Sequence, residues 1–299
     1  KLKLHRLASL RKISKKNNYK FFKIDICDKK KLKNLFKKHK FKKILHFAAQ
    51  AGIRFSLKKP DQYIKSNLLG FFNVLNLSKQ FKVSHLVYAS SSSVYGLNRR
   101  LPFKESDFAD HPLQLYAATK RSNELMAHSY SSLYKLPTTG LRFFTVYGPL
   151  GRPDMALYKF VKNIFLNKPI EIYNNGKHSR DFTYVDDVVN AILKATKNIP
   201  KKNAFRFNNQ DPSESNAPFR VINVGNSETI NLLTCIRIIE NIIGKKAIKK
   251  FMPIQKGDIL KTKSDLKKIK RILKYKSETR IEDGLVKFIN WFKIYHKLN

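Results

Sequence analysis

The chain of 299 residues is long enough for one large domain or two smaller ones, and its 42% hydrophobic and 12% aromatic content excludes a disordered protein. Its 61 Lys and Arg against 21 Asp and Glu give a formal net charge of +40. Because the lysines are spread along the chain in short clusters, without a helix-turn-helix or RNA-binding signature, we expect a solvated basic surface and no nucleic-acid partner.

The cysteines, histidines and apolar runs indicate neither disulfides, nor a metal, nor a membrane segment. Cys27 and Cys235 form no CxxC pair, and the histidines show no metal-ligand spacing, so we predict no metal. Apolar runs stay below the ~18–20 residues of a membrane span, and the basic opening KLKLHRLASLRKISKKNN lacks the apolar core of a signal peptide. We therefore expect a cytoplasmic protein.

Strands and helices alternate along the first half of the chain, and Asp28 is placed to cap one of the helices. The predicted strands are 19–26, 42–49, 85–91 and 138–148, and the predicted helices are 29–39, 67–81 and 114–135. Strands that alternate with helices of this length indicate a parallel sheet with helices on both faces.

The pattern becomes less regular after Pro149 and predicts a second, smaller lobe that is interleaved with the first. This part of the chain contains predicted helices at 154–167, 185–198, 228–244 and 281–297, predicted strands at 170–174 and 219–226, and a polar loop at 208–218. We assign residues 1–147 and 184–226 to the first domain, and residues 148–183 and 227–299 to the second lobe.

The segment LYAATKRSNE (115–124) places Tyr116 and Lys120 on one face of a predicted helix. This spacing alone also suits an exposed surface. A phenol has an ordinary pKa of about 10, and a cation within ~4–6 Å lowers it, so the pair would make a base. Ligands in open α/β sheets lie beyond the carboxyl ends of the strands, where Ala48–Gln50, Ser90–Ser93 and Phe143–Thr145 also fall.

Several blocks of sequence resemble those of a known family, the extended short-chain dehydrogenase/reductases. YAATK resembles their YxxxK motif, and SSSSVYG (90–96) their serine motif. Together with HFAAQAGIRFSLKKP (46–60), LPTTGLRFFTVYGPLGRPDMA (136–156) and RDFTYVDDVV (180–189), they are similar to the nucleotide-sugar epimerases within that family, along nearly the whole chain.

The resemblance implies a Rossmann-like doubly wound parallel sheet, with the first domain binding a dinucleotide and the second lobe a nucleotide sugar. The implied activity is NAD-dependent 4-epimerisation of a UDP-sugar through a transient 4-keto intermediate. UDP-glucuronate is the substrate implied most closely, while a neutral sugar of the UDP-glucose or UDP-N-acetylglucosamine type stays open. The family also implies a homodimer.

The resemblance assigns roles to individual residues. The catalytic residues would be Ser91, Tyr116 and Lys120. The cofactor contacts would be Asp25, Ile26, Ala48, Ala49, Gln50, Asn67, Ala89, Ser90, Tyr116, Lys120 and Phe144. The substrate contacts would be Ser92, Ser93, Thr145, Arg152, Arg180 and Asp258.

Two of these assignments bear on the choice of reaction. An Arg152 guanidinium suits a uronate carboxylate, because it can donate two parallel hydrogen bonds. Ser92 and Ser93 stand where related sugar dehydratases carry Asp-Glu, and serines do not supply the additional acid and base that elimination of water needs. Epimerisation is therefore favoured over dehydration.

One expected element is missing from the pattern. The family begins with a strand and a GxxGxxG turn, and no such glycine cluster precedes residue 52. Since that turn holds the cofactor pyrophosphate, we expect a chain truncated at its N-terminus that binds NAD weakly or not at all and is poorly stable. A truncated copy without activity stays open as an alternative. The remaining sequence does not separate NAD from NADP. A basic, non-catalytic binding protein stays open as an alternative.

Overall fold

The computed structural model describes residues 2–14, 18–202, 211–255 and 257–298, so part of the predicted polar loop 208–218 lies outside the described residues. The helices are α1 (Leu2–Ile13), α2 (Lys29–His39), α3 (Ile53–Lys58), α4 (Pro60–Tyr63), α5 (Gly70–Gln80), α6 (Leu115–Tyr134), α7 (Ala156–Phe165), α8 (Val185–Lys197), α9 (Leu232–Ile243), α10 (Lys267–Leu273) and α11 (Ile281–His296). A π-helical turn spans Ile64–Leu69 and a 3₁₀ turn Ser92–Tyr95.

In the part of the chain that the structure describes, the strands form one central sheet and two small ones. They are β1 (Lys43–His46), β2 (His85–Ser91), β3 (Thr138–Phe143), β4 (Thr145–Tyr147), β5 (Ile170–Tyr173), β6 (Ser179–Tyr184), β7 (Phe219–Val224), β8 (Thr229–Asn231) and β9 (Lys249–Met252). The central sheet has the order β1-β2-β3-β7 and is parallel throughout. β4-β6-β8 and β5-β9 form the two smaller sheets.

Both faces of the central sheet are covered, which confirms the predicted doubly wound α/β class. On one face, α2 and α5 contribute Phe36 and Leu75 to a core that includes Leu86. On the other, α8 and α10 contribute Val188 and Ile269. β2 and β7 are buried along almost their whole length, as their apolar sequences require in a sheet with two covered faces.

Helix α2 follows from local signals alone. The Asp28 carboxylate accepts a hydrogen bond from the Lys31 amide at 3.0 Å and so caps the first turn. Leu32 and Phe36, four residues apart, form the buried stripe of a helix that is otherwise rich in lysine. The predicted bounds and cap are confirmed.

The predicted strand at 19–26 is wrong, because no part of it forms a strand. A strand needs a neighbour to pair with its backbone, and among the described residues β1 pairs with β2 alone. Residues 25–27 instead lie against α5, where the Asn73 amide donates to the Ile26 carbonyl at 3.1 Å.

Two other predicted elements are divided in the structure. The strand 138–148 is divided at Phe144: the Phe144 amide makes the last hydrogen bond to β7, at the Val224 carbonyl at 3.0 Å, and β4 then joins a second sheet beside β6. The helix predicted at 228–244 begins only at Leu232, after β8. Its N-cap is Asn231, whose side chain accepts from the Leu233 amide at 2.8 Å.

The second lobe has its own core, formed chiefly by α7, α9 and α11 packed on the small sheets, with Phe160, Ile236 and Phe288 among its buried residues. α10, which we assigned to this lobe, contributes Ile269 and Leu273 to the core of the central sheet. The division of the chain into two domains stays a prediction. In the portion of the chain that the structure describes, no helix combines the length and apolar character needed to cross a membrane.

His46, at the end of β1, makes stability depend on pH. Burial lowers its pKa to about 3, and the Lys120 charge acts in the same direction. The unfolded chain, with a histidine pKa of about 6.5, therefore binds more protons than the folded protein between about pH 6.5 and 3, and stability falls as the pH falls through that window.

We expect His46→Gln to remove this contribution. Between pH 6.5 and 5, urea unfolding should show the variant gaining about 2 kcal/mol relative to the parent protein. His111→Gln is the matched control, because His111 is exposed, and it should show no such gain. Parallel pH profiles for His46→Gln and the parent would contradict the prediction.

Candidate active site

Helix α6 presents three ionisable side chains on one buried face. Tyr116, Lys120 and Glu124 follow each other at one-turn spacing and are 9%, 3% and 1% exposed. The Tyr116–Lys120 pair is therefore not a surface feature, which was the alternative that its spacing alone left open.

The structure brings Ser91 and Tyr116 together. Ser91 is the last residue of β2, and its hydroxyl is hydrogen-bonded to the Tyr116 hydroxyl. The same oxygen accepts from the Ser93 amide at 3.2 Å, which starts the 3₁₀ turn. The carboxyl end of β2 thus holds one hydroxyl against another at the first turn of α6.

The expected effect of Lys120 on Tyr116 is wrong in this structure. Burial raises the pKa of Tyr116, while the Ser91 hydrogen bond and the Arg152 charge oppose that rise. The Lys120 amine instead donates to the Ala89 carbonyl of β2 at 2.9 Å. Burial lowers the pKa of Lys120 to about 8, with the Glu124 carboxylate acting in the opposite direction.

Asn67 links the loop after β1 to α6. Its side-chain oxygen accepts from the Gln50 amide at 2.8 Å, and its amide group donates to the Gln50 carbonyl and to the Thr119 hydroxyl, each at 3.0 Å. The π-helical turn carries Asn67 to this position. Ala48 is exposed and Ala49 half-buried at the carboxyl end of β1, beside the same cleft.

The other predicted cofactor contacts make internal bonds. The Asp25 carboxylate accepts from the Cys27 amide at 2.9 Å. The Ser90 hydroxyl is buried and donates to Glu124 at 2.6 Å. The Phe144 ring packs with Tyr95 and Phe103. The roles of Asp25, Ile26, Ser90 and Phe144 toward a cofactor stay predictions.

Arg152 lies close to Tyr116 and is held by a carboxylate from its own loop. Its Nε and Nη2 atoms reach Asp154 at 3.1 and 2.5 Å, and its Nη1 reaches the Ala51 carbonyl at 3.5 Å. The guanidinium therefore faces both the loop after β1 and the Tyr116 phenol. Thr145, half-buried, begins β4.

Arg180 and Asp258 form a second charged group. Arg180 donates to the Leu260 carbonyl at 3.0 Å, and burial lowers its pKa while Asp258 opposes the shift. The neighbouring Gly257 carbonyl accepts from Gln114, which precedes α6. Gly257 has φ +79° and its Cα hydrogen faces Gln114, so a larger residue would be strained there. Ser92 and Ser93 follow Ser91 in the 3₁₀ turn.

Comparison with known proteins identifies the family. A model of the NAD dependent epimerase/dehydratase family matches residues 2–208.

The chain belongs to this family.

The chain is similar to several known proteins. The chain is 48% identical over 297 residues to Protein CapI of Staphylococcus aureus, covering 99% of this chain and 88% of that protein. It is 45% identical over 252 residues to a probable UDP-glucuronate 4-epimerase of Rhizobium meliloti, covering 83% and 74%. Its fold matches the crystal structure of UDP-glucuronic acid 4-epimerase from Bacillus cereus in complex with UDP-glucuronic acid and NAD, with a TM-score of 0.85, 30% identity and coverage of 98% and 87%.

NAD is the cofactor of this epimerase/dehydratase family, in agreement with the prediction. The residues at the cleft fit such a group. The Lys120 ammonium is almost wholly buried and has one hydrogen-bond acceptor, the Ala89 carbonyl, among the described residues, so two of its protons are available to a ligand. The small side chains of Ala48 and Ala49 leave the neighbouring backbone open. Across the described chain, no group of three or more His, Cys, Asp or Glu side chains is placed to hold a metal.

Sequence reasoning missed four residues that the structure brings to this site. Tyr63 is fully buried with its ring edge-on to Tyr116, and Asp154 holds Arg152. Glu124 and Arg142 form a buried ion pair with an N–O distance of 2.8 Å. A signal for the last two was present: Glu124 continues the one-turn spacing of Tyr116 and Lys120, and Arg142 is a charge inside an apolar strand.

Proposed function

We propose that this protein interconverts the C4 epimers of a UDP-sugar, with UDP-glucuronate as substrate and UDP-galacturonate as product. The observation that carries the proposal is the buried Ser91–Tyr116 hydroxyl pair at the carboxyl end of β2, with the Arg152 guanidinium facing it. A hydroxyl pair of this kind can hold and move one proton at a sugar hydroxyl.

Each residue has a distinct part in the reaction. Tyr116 takes the proton from the 4-hydroxyl as the carbonyl forms and returns it when the hydroxyl is restored. Ser91 orients that hydroxyl, the positive charge of Arg152 favours the phenolate form of Tyr116, and Lys120 offers its remaining protons to the cofactor. NAD, when bound, supplies the acceptor and donor of hydride.

The choice of epimerisation rests on the turn after β2. Ser92 and Ser93 offer hydroxyl groups but no carboxyl group at the positions that follow Ser91. Loss of water from a sugar needs a second acid and base beside Tyr116, and these serines do not provide them. They do provide hydrogen-bond donors for the C6 carboxylate of a uronate.

Substitution of Arg152 tests whether the substrate is a uronate or a neutral sugar. We expect Arg152→Ala to lower kcat/KM for UDP-glucuronate by about 100-fold, because a charge-assisted bidentate contact is lost. For UDP-glucose the loss should be about tenfold smaller, since it contains only the effect of Arg152 on Tyr116. Steady-state kinetics with both sugars separates the two contributions.

Asp154→Asn is the matched control for that experiment. It weakens the ion pair that holds Arg152 and keeps the arginine, so activity toward UDP-glucuronate should be retained. Equal losses on both sugars in Arg152→Ala would instead favour 4-epimerisation of a neutral UDP-sugar.

We also propose that the protein is a cytoplasmic homodimer without a nucleic-acid partner. α5 and α6 pack side by side, with Lys79 of one over the Tyr134 ring of the other. Their outer faces expose Phe72, Leu125 and Leu133, the leucines by 57% and 67%. Exposed leucines on adjacent helices suit pairing with a second copy of the same surface. Sedimentation at micromolar concentration measures the oligomeric state.

A further inference from the structure

Glu124 is a buried carboxylate that the proposed reaction does not use. It lies two turns beyond Tyr116 on the same face of α6. Its oxygens accept from the Ser90 hydroxyl at 2.6 Å, from Arg142 Nε and Nη2 at 2.9 and 2.8 Å, and from Arg121 Nη1 at 3.1 Å. Four donors from three elements therefore hold this side chain in one position.

Arg142, the main partner of Glu124, is also held by contact with the Tyr95 ring. It is 1% exposed on β3, and its guanidinium lies 4.8 Å from the centre of the Tyr95 ring. The Tyr95 hydroxyl donates to Asn223 of β7 at 2.7 Å. Ser90 and Tyr95 flank the segment that carries Ser91, so the ion pair contacts both ends of that segment.

The charged and titratable groups that face Lys120 come from two elements. β1 contributes His46, which burial keeps neutral at physiological pH by lowering its pKa to about 3. α6 itself contributes Tyr116 and Glu124. β2 contributes only the Ala89 carbonyl, a dipole without charge. Among the described residues, Glu124 is thus the negative charge that acts on the buried Lys120 ammonium group.

The groups that face Glu124 determine how much of its charge reaches Lys120. Arg142 from β3 and Arg121 from α6 are positive. Tyr88 from β2 stays neutral, because burial raises its pKa well above 10. Arg121 also reaches the exposed Asp110 at 3.3 Å, so it is the outer member of the group. Loss of Arg142 or Arg121 removes a positive charge near Lys120 and should make the amine easier to protonate.

We propose that Glu124 is a positioning residue: fixed by Arg142, Ser90 and Arg121, it supplies the negative charge that keeps the buried Lys120 amine protonated at neutral pH. Without it, an ammonium that has little water around it would lose its proton more readily. That Lys120 acts in catalysis rests on the proposed function, whereas its protonation is a property of the fold.

Two substitutions with opposite effects test the proposal. In protein labelled with ¹³C at lysine Cε, the Lys120 resonance is assigned by its absence from Lys120→Met. The parent resonance should titrate near pH 8. Glu124→Gln should move that midpoint down by about one pH unit or more. Arg121→Gln, which removes a positive charge beside the carboxylate, should move it up by several tenths of a pH unit.

Glu124→Gln carries the test, because Arg121→Gln removes a positive charge beside Lys120 and raises the midpoint with or without Glu124. Should Glu124→Gln alone fail to fold, the same substitution is made in Arg142→Met, where the midpoint of the double variant should lie below that of Arg142→Met. A midpoint unchanged or raised by Glu124→Gln, alone or in Arg142→Met, overturns the proposal. Because the readout needs no substrate, an absence of UDP-sugar turnover would count against the proposed function only.

Discussion

Replacing Tyr116 with Phe should lower kcat for UDP-glucuronate epimerisation by about 1,000-fold or more, the range expected when a general base is lost. The ring remains, so the edge-on contact with Tyr63 and the packing of α6 are kept. Only the hydroxyl that bonds to Ser91 disappears, and with it the group that holds the proton of the 4-hydroxyl. The thermal unfolding temperature should change little.

Tyr88→Phe is the matched control. Tyr88 is fully buried on β2, and its hydroxyl has no hydrogen-bond partner among the described residues, so its removal should leave kcat within about twofold. Turnover of UDP-glucuronate by the NAD-loaded enzymes, together with thermal unfolding, measures both effects. If Tyr116→Phe kept more than about a tenth of the parent kcat, another group would have to be the base.

Elements with local signals were predictable from the sequence. Helix α2 has a capping Asp28 and an apolar stripe of Leu32 and Phe36, and these act within a few residues of each other. β2 was predicted with its observed bounds, 85–91, because a strand buried on both faces is apolar along nearly its whole length.

Elements that depend on distant partners were not predictable. The alternating segment 19–26 has the composition of a strand, yet none forms, since strand formation depends on a neighbour that the segment itself does not specify. The break at Phe144 likewise depends on distant partners, since β3 pairs with β7 while β4 pairs with β6 in another sheet.

In the candidate site, too, local sequence signals were predictive and contacts with distant groups were not. The YxxxK spacing and the serine motif predicted which side chains come together, and Ser91 and Tyr116 do meet. The direction of the Lys120 amine depends on the Ala89 carbonyl, a backbone group whose position only the folded sheet defines. A sequence pattern carries no information on such a contact, so the assumed effect of Lys120 on Tyr116 was wrong.

Arg142→Met should be the most destabilising of the substitutions considered, with a loss of about 3–5 kcal/mol in the free energy of unfolding. Met has nearly the length of Arg and fills the space between Tyr95 and α6. It leaves the Glu124 carboxylate, 1% exposed, with Ser90 and Arg121 as its remaining partners. The cost arises because a buried charge loses its buried counter-ion. Urea denaturation at pH 7 measures it.

The double variant Glu124→Gln/Arg142→Met separates this cause from a loss of packing. It contains the same methionine but no buried charge, and Gln still offers an oxygen to the Ser90 hydroxyl. If the isolated carboxylate is the source of the instability, the double variant should be more stable than Arg142→Met by about 2 kcal/mol or more. The guanidinium could instead stabilise the fold mainly through its contact with the Tyr95 ring. In that case Glu124→Gln restores no stability to Arg142→Met, because the ring contact is absent from both variants. The ion pair would then be a consequence of close packing in this part of the fold rather than the interaction that requires both residues to be present.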